Sequence, residues 1–246
     1  MKKYERKLDN IPIKLKSEEN KRKFYLDLYN NNKEVKPRWN TLRESGIKVV
    51  REYLLDMTNR SCAYCGKRIS DSTMDVEHFL PKCEFPYLAY CIDNLLPSCK
   101  VCNQNYKGDF IPIEIKSKKI IEGCVMNLQE YDYIYNKEQV LNELCSQTRI
   151  IEPTFDIISE HLEFDPEFFL YTTKSNIGKE TNKMFFDKSE FIELLEKMSN
   201  VVKYIVKGNG SNDEEIINAL IELEGYEVYY RGFYEYWNKE KQNNRL

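Results

Sequence analysis

The sequence predicts an α+β chain, mostly helical, with a small cysteine-bearing module embedded between N-terminal and C-terminal helical regions. Three observations predict it. Two Cys-x-x-Cys pairs, Cys62/Cys65 and Cys99/Cys102, stand 33 residues apart in a stretch of turn residues and short apolar runs. On either side, apolar residues recur every three or four positions, the period of a buried helical face. No internal repeat or low-complexity tract interrupts this order. The expected boundaries are 1–57 for the N-terminal helical region, 58–115 for the module and 116–246 for the mainly helical C-terminal region.

The N-terminal region divides into two expected helices. One spans 17–31, with Ser17 as N-cap and Phe24, Leu26 and Leu28 as apolar content. Pro37 opens the second, which runs to Met57 and buries Trp39, Leu42, Val49, Val50, Tyr53 and Leu54. The module at 61–112 holds six of the eight cysteines, which marks it as organised by a metal. Residues 150–168 contain Pro153 and Pro166 and are expected as loops and short strands. Beyond them, Phe191, Leu195, Met198, Val202 and Ile205 define a helix that the Gly208-Asn209-Gly210 run stops. A further helix starts at Asp213, with Ile216, Ile217, Leu220 and Leu223 on one face, and 226–237 is expected to continue it. That stretch carries Tyr229, Tyr230, Phe233, Tyr234 and Tyr236, an aromatic stripe that reads as core or interface rather than as a base-stacking platform.

A chain of 246 residues can bury one large core or two modest ones. Hydrophobic residues at 41% and charged residues at 31% place it with ordinary soluble globular proteins. No run of 18 apolar residues exists, so no membrane span is expected. The basic opening MKKYERKLDN leads into no apolar segment, so no secretory signal is expected and a cytoplasmic location follows. In that reducing compartment eight cysteines read as metal ligands and buried thiols, not as disulfides. The net charge of -3 is not the signature of a protein that coats nucleic acid. The charge is uneven, however: nine basic residues (Lys2, Lys3, Arg6, Lys7, Lys14, Lys16, Lys21, Arg22, Lys23) oppose four acids before residue 25. Such an arm either holds phosphates or is a solvated face.

Each Cys-x-x-Cys knuckle lets two thiolates grip one metal from a tight turn. Together Cys62, Cys65, Cys99 and Cys102 complete a closed tetrahedral zinc site with Zn–S distances of about 2.3 Å. Such a site leaves no position for water and is structural, so its binding energy becomes folding energy. A redox pair, an iron–sulfur cluster and buried free thiols are the alternatives, and no βαβ pattern supports the redox one. Cys83, Cys91, Cys124 and Cys145 lack such pairing and are expected as small buried residues.

Between the knuckles lies Asp75-Val-Glu-His-Phe-Leu-Pro-Lys82, which holds one of only two histidines. Asp93-Asn94-Leu-Leu-Pro97 follows, and Asn103-Gln-Asn-Tyr-Lys-Gly108 comes directly after the second knuckle. Hydrolysis of a phosphodiester needs a deprotonated water, neutralisation of the charge that builds on phosphorus, and help for the leaving oxygen. A neutral imidazole at His78 can take the proton. A single Mg²⁺ or Mn²⁺ on oxygen ligands from Glu77 and an Asn amide can bind the scissile phosphate. Lys107 can touch a phosphate near the helix start. Asp75 shares a strand face with Glu77 and either supports the ligands or is a solvated acid. His161 is expected to be structural.

These strings resemble the HNH endonuclease motif in its zinc-bearing form. The resemblance implies a ββα-metal fold, a β-hairpin followed by a helix around one catalytic divalent ion. It makes Glu77 the acidic metal ligand, His78 the general base, Asn94 the residue that braces the hairpin loop, and Asn103 the second metal-holding position. The common spacing in the family is Asn-x-x-Lys, whereas here Asn103 precedes Lys107 by four, so Asn105 stays open as the alternative ligand. The strings Cys-Ala-Tyr-Cys-Gly, Val-Glu-His-Phe-Leu-Pro-Lys and Asn-Leu-Leu-Pro-Ser-Cys-Lys, with the later Ile-Glu-Pro-Thr-Phe-Asp and Glu-His-Leu-Glu-Phe, are similar to HNH proteins found with retrons and with the Septu anti-phage system, the PtuB-like group. That narrower resemblance covers about 50–200 of the chain. It implies a defence effector that cuts DNA, or else RNA, beside an ABC/AAA-like ATPase partner of the PtuA-like kind. The chain has no GxxxxGK[ST] loop, so ATP dependence would come from the partner. Two other classes stay open: a non-catalytic zinc module that binds nucleic acid or protein, and a redox protein.

Overall fold

In a computed structural model, the described residues are 1–7, 10–12, 37, 39–40, 42–83, 85, 88–110, 126–127, 132–133, 138, 141, 149–208, 210 and 212–246. The helix expected over 17–31, the basic arm beyond Lys7, and Cys124 and Cys145 lie outside them. The chain is α+β, with helices dominating its second half and short two-stranded sheets between them.

The helix expected from Pro37 starts only at Val49. A short hairpin precedes it, β1 (Arg43–Glu44) paired with β2 (Ile47–Lys48). Ser45 and Gly46 between them both have positive φ, 49° and 83°. Two such residues form the tight turn whose twist matches a hairpin. Helix α1 (Val49–Met57) buries Val50, Tyr53, Leu54, Leu55 and Met57. Trp39 therefore sits outside any helix, and its ring packs against those of Tyr90 and His78.

The module is built on β3 (Met74–His78) and β4 (Leu95–Cys99), antiparallel, with Glu77 opposite Leu96 and His78 opposite Leu95. The one-turn 3₁₀ helix Ile92–Asn94 delivers the chain into β4. A π-helix, Val101–Lys107, follows β4 and ends at Gly108. Another small hairpin, β5 (Met126–Asn127) with β6 (Asp132–Tyr133), lies beyond.

The second half opens with α2 (Ile158–His161) and the hairpin β7 (Leu162–Asp165) and β8 (Leu170–Thr173). Helix α3 (Asn176–Phe185) is N-capped by Ser175, whose hydroxyl accepts the Gly178 amide at 3.0 Å. Helix α4 (Ser189–Lys207) buries Phe191, Leu195, Met198 and Val202 as the periodicity predicts, but Val206, not Ile205, closes the stripe. Helices α5 (Asp213–Glu224) and α6 (Glu227–Gln242) are separate elements, contrary to the continuous helix expected. Gly225 and Tyr226, with φ of 81° and 56°, break it. The expected face of α5 is also turned. Ile217 is fully buried, whereas Ile216 and Leu223 are exposed, because the stripe facing α4 and α6 runs through Ile217, Leu220 and Ile221.

The aromatic stripe of α6 is core. The Tyr171 hydroxyl donates to that of Tyr229 at 3.0 Å, and Phe164 meets the rings of Tyr229 and Phe233 edge-on. One buried cluster runs from α1 through the module into these helices, and Tyr64 stacks on Phe185 at 4.4 Å between ring centres. No helix of the described residues is long and apolar enough to cross a membrane.

Candidate metal centre and active site

The first knuckle is a tight turn. The Gly66 amide bonds Cys62 O at 2.9 Å, and Gly66 takes a φ of 82° that a side chain rarely adopts. The Cys62 amide donates to Lys67 O at 2.8 Å and the Ala63 amide to Pro97 O at 2.9 Å, which fastens the knuckle to β4. The second knuckle joins the end of β4 to the π-helix. All four sulfurs, of Cys62, Cys65, Cys99 and Cys102, lie within 4.8 Å of one another and are buried. Cys65 Sγ and Cys99 Sγ are 3.9 Å apart. That is far beyond a disulfide bond, and close to the edge of about 3.8 Å that a tetrahedron of about 2.3 Å Zn–S bonds requires. The four cysteines are thus placed to hold a metal, and an all-thiolate set suits zinc. Cys83 is exposed and Cys91 only partly covered, which corrects the expectation that both are buried. Cys83 lies in the loop after β3, where hydrophobicity alone does not decide burial.

At the end of β3, the His78 Nε2 lies 3.0 Å from the Ala89 carbonyl oxygen. A carbonyl only accepts, so Nε2 carries the hydrogen and Nδ1 keeps the lone pair. Burial pushes the imidazole pKa down to about 4, opposed by the Ala89 bond and reinforced by Lys82 and Lys107. His78 is therefore neutral near pH 7.

Glu77 is buried beside it. Lys107 Nζ approaches its Oε1 at 2.6 Å, and the Tyr64 hydroxyl donates to the same oxygen at 3.3 Å. Burial pushes the Glu77 carboxyl above its ordinary value, and Lys107 opposes that shift. Lys107 also donates to His78 O at 2.9 Å and is itself buried. The sequence expects Lys107 to touch a phosphate; in the structure its ammonium is buried on Glu77 and the end of β3.

Asn94 is fully buried. Its Oδ1 accepts the Leu80 amide at 2.8 Å, and its Nδ2 donates to Leu80 O at 3.0 Å and Leu88 O at 3.4 Å. The loop between the strands is tied to the start of β4 through this one side chain. Asn103 donates to Asp75 Oδ2 at 3.1 Å, and Gln104 reaches the same oxygen at 2.6 Å. Asp75 and Glu77 thus both face the π-helix, as their spacing on a strand requires.

The π-winding explains the unusual separation of Asn103 and Lys107. The Gly108 amide bonds Asn103 O at 2.8 Å, a five-residue step. Such bonds spread an extra residue over the turn. A residue four positions on then falls closer to where the third would stand in an α-helix, so Asn103 and Lys107 both meet β3.

Glu77, His78, Lys82, Asn103, Gln104 and Asp109 line a shallow cleft of about 210 Å³ together with Val76, Pro81 and Gly108. The structure therefore brings Glu77, His78 and Asn103 together, while Asn94 and Lys107 support them from behind and Asn105 is exposed elsewhere. Lys82, Gln104 and Asp109 were not singled out from the sequence. Lys82 closes the Pro-Lys string and Asp109 follows the helix-ending Gly108, but neither position differs in type from an ordinary surface charge. Among the described residues, the four cysteines are the only group of three or more His, Cys, Asp or Glu with clustered ligand atoms. A divalent ion in the cleft would rest on one carboxylate, an amide and water, a set that suits Mg²⁺.

The other expected groups lie apart. His161 bonds Ser175 Oγ through Nδ1 at 2.7 Å and stands 3.8 Å from Asp156, which Arg149 grips at 2.6 and 2.8 Å. In the basic arm, Lys2 pairs with Glu227, and Arg6 is buried with bonds to Ile92 O, Asp93 O and Leu95 O. Arg6 thus clamps the entry to β4 and offers nothing to a phosphate.

A family model described as HNH endonuclease matches residues 62–108, which spans both knuckles and every residue of the cleft lining but Asp109. The chain is similar to a Septu protein PtuB of Bacillus thuringiensis, 47% identical over 60 residues, which is 24% of this chain and 23% of that one. A second Septu protein PtuB, of Bacillus mycoides (strain KBAB4), is 30% identical over 171 residues, 63% of this chain and 52% of the relative. Protein ea31 of Escherichia phage lambda is 33% identical over 78 residues, 30% of this chain and 25% of its own length. The matches thus span from about a quarter to about half of the length of these relatives. No solved structure gives a significant match.

Proposed function

We propose that this chain, which carries an HNH endonuclease domain, hydrolyses phosphodiester bonds of nucleic acid, DNA before RNA, with His78 as general base. The observation that carries the reading is the His78 ring, held by Ala89 O through Nε2 in a cleft shared with Glu77 and Asn103.

His78 Nδ1 takes the proton of the attacking water. The bond from Nε2 to Ala89 fixes the tautomer and turns the ring, and burial keeps it neutral. Glu77 and Asn103 are the residues that would hold Mg²⁺ or Mn²⁺. When bound there, such an ion supplies charge for the scissile phosphate and the leaving oxygen. Lys82, on the cleft wall, takes the phosphate-facing part in place of the buried Lys107. Cys62, Cys65, Cys99 and Cys102 would hold zinc, which would tie the hairpin to the π-helix.

We further infer a role in anti-phage defence in the cytoplasm, beside an ABC/AAA-like ATPase of the PtuA-like kind. Similarity to two Septu PtuB proteins supports the reading. The net charge of -3 suits an enzyme that does not engage nucleic acid indiscriminately.

The test is a plasmid and RNA cleavage assay with Mg²⁺ or Mn²⁺, comparing the wild type with His78→Ala, with and without the candidate ATPase. Metal-dependent cutting lost in the variant supports the reading and names the substrate class. No cutting by the wild type even with the ATPase favours the non-catalytic zinc module instead.

A further inference from the structure

We propose that Tyr64 and Lys107 are positioning residues that turn the Glu77 carboxylate so that only one of its oxygens is offered to a divalent cation in the cleft. The inference rests on the reading above, which places that cation on Glu77. Both donors address the same atom: Lys107 Nζ stands 2.6 Å and Tyr64 Oη 3.3 Å from Oε1. Oε2 is left without a side-chain donor among the described residues, on a carboxylate that lines the cleft.

The two donors come from opposite ends of the zinc site. Tyr64 lies between the ligands Cys62 and Cys65, and Lys107 lies five residues after Cys102 on the π-helix. Each is fixed by something other than Glu77. The Tyr64 ring stacks on Phe185 at 4.4 Å and 17°, and Lys107 also binds His78 O at 2.9 Å. The zinc frame therefore sets the angle of the carboxylate as well as holding the hairpin. The His78 amide also reaches this carboxylate, and Lys107 and Tyr64 are the side chains that fix which of its oxygens is taken.

The test is Mn²⁺ binding to the zinc-loaded full chain, followed by the electron paramagnetic resonance signal of free Mn²⁺. Lys107→Met is expected to weaken Mn²⁺ binding by about 10–100-fold, with part of the loss recovered in Lys107→Arg. Tyr64→Phe keeps the ring on Phe185 and is expected to weaken binding by about 2–10-fold at unchanged zinc content and melting temperature. Tighter Mn²⁺ binding by Lys107→Met would overturn the proposal, because it would make Lys107 a competitor for Glu77. Unchanged binding in Tyr64→Phe would also overturn it, and decides the matter if Lys107→Met does not fold. Glu77→Gln separates the two layers. Wild-type Mn²⁺ binding by that variant removes the cation from Glu77 and sinks the underlying reading. Loss there with no change in the other variants sinks the positioning role alone.

Discussion

Asn94 and Leu80 exchange two hydrogen bonds across the loop between the strands, the carboxamide oxygen taking the Leu80 amide at 2.8 Å and its nitrogen giving to the Leu80 carbonyl at 3.0 Å. A side chain here imitates a strand partner, and it does so fully buried. Asn94→Ala leaves both Leu80 groups without a partner, at about 1–3 kcal/mol each. The melting temperature is expected to fall by several degrees, at about 2–4 °C per kcal/mol for a chain of this size. Thermal unfolding of the zinc-loaded protein measures it. An unchanged melting temperature would mean that the loop is not held through Asn94.

The His78 ring bonds the Ala89 carbonyl and packs against the Trp39 ring at 6.0 Å, and it is not one of the four clustered metal-site residues. His78→Ala is therefore expected to keep zinc and fold while cleavage falls by about 10²–10⁴-fold, the usual worth of a general base. Zinc content, circular dichroism and a cleavage time course on one preparation would check all three. Cleavage at the wild-type rate would remove His78 from the reaction.

The centre of the chain is legible in the sequence because its chemistry is local. Cysteines with two residues between them announce a knuckle, and Glu77, His78 and Asn103, named from their strings, line one cleft. What escapes the sequence is set by tertiary approach. Lys107 carries a charge, which predicts a surface, yet the π-turn carries it under β3 to a buried carboxylate. Arg6 belongs to a basic run that reads as either a phosphate arm or a solvated face, but three carbonyls around β4 take its guanidinium. Helix ends fail for a different reason. Val49 and Gly225 mark breaks made by glycine turns, and apolar periodicity runs through such turns without registering them.

The zinc frame and the cleft should separate under chelation. Four thiolates would enclose their metal, whereas a cation on Glu77 and Asn103 would rest on oxygens and water. Brief EDTA treatment is expected to stop cleavage reversibly, with added Mg²⁺ restoring it before any zinc is lost. Cys62→Ser or Cys99→Ser should instead lose both zinc and the folded state. Metal analysis beside activity distinguishes the two. Zinc loss in step with activity under EDTA would contradict a second, weaker metal position.

Gly225 is where the C-terminal helices meet the first knuckle. The Tyr226 amide donates to Gly66 O at 2.7 Å, and the Arg68 amide donates to Glu224 O at 2.7 Å. These bonds require the two backbones to touch: a methyl group on Gly225 would lie 2.4 Å from Gly66 O and 2.5 Å from the Arg68 nitrogen, and φ there is 81°. Neither contact is a flexible side chain that can move away. Gly225→Ala must therefore push α5 and α6 off the knuckle or distort the turn that holds Cys62 and Cys65, and a loss of several kcal/mol is expected, about the size of the larger core and backbone lesions. The Gly208→Ala change is a fair control, since its added methyl meets only ordinary contacts at 3.4 and 3.6 Å. If the docking matters to the metal, Gly225→Ala should release zinc to a chromogenic chelator faster than either the wild type or the control. Equal release rates at reduced melting temperature would confine the effect to the helices, and an unchanged melting temperature would show that the contact between knuckle and helices gives way at no cost.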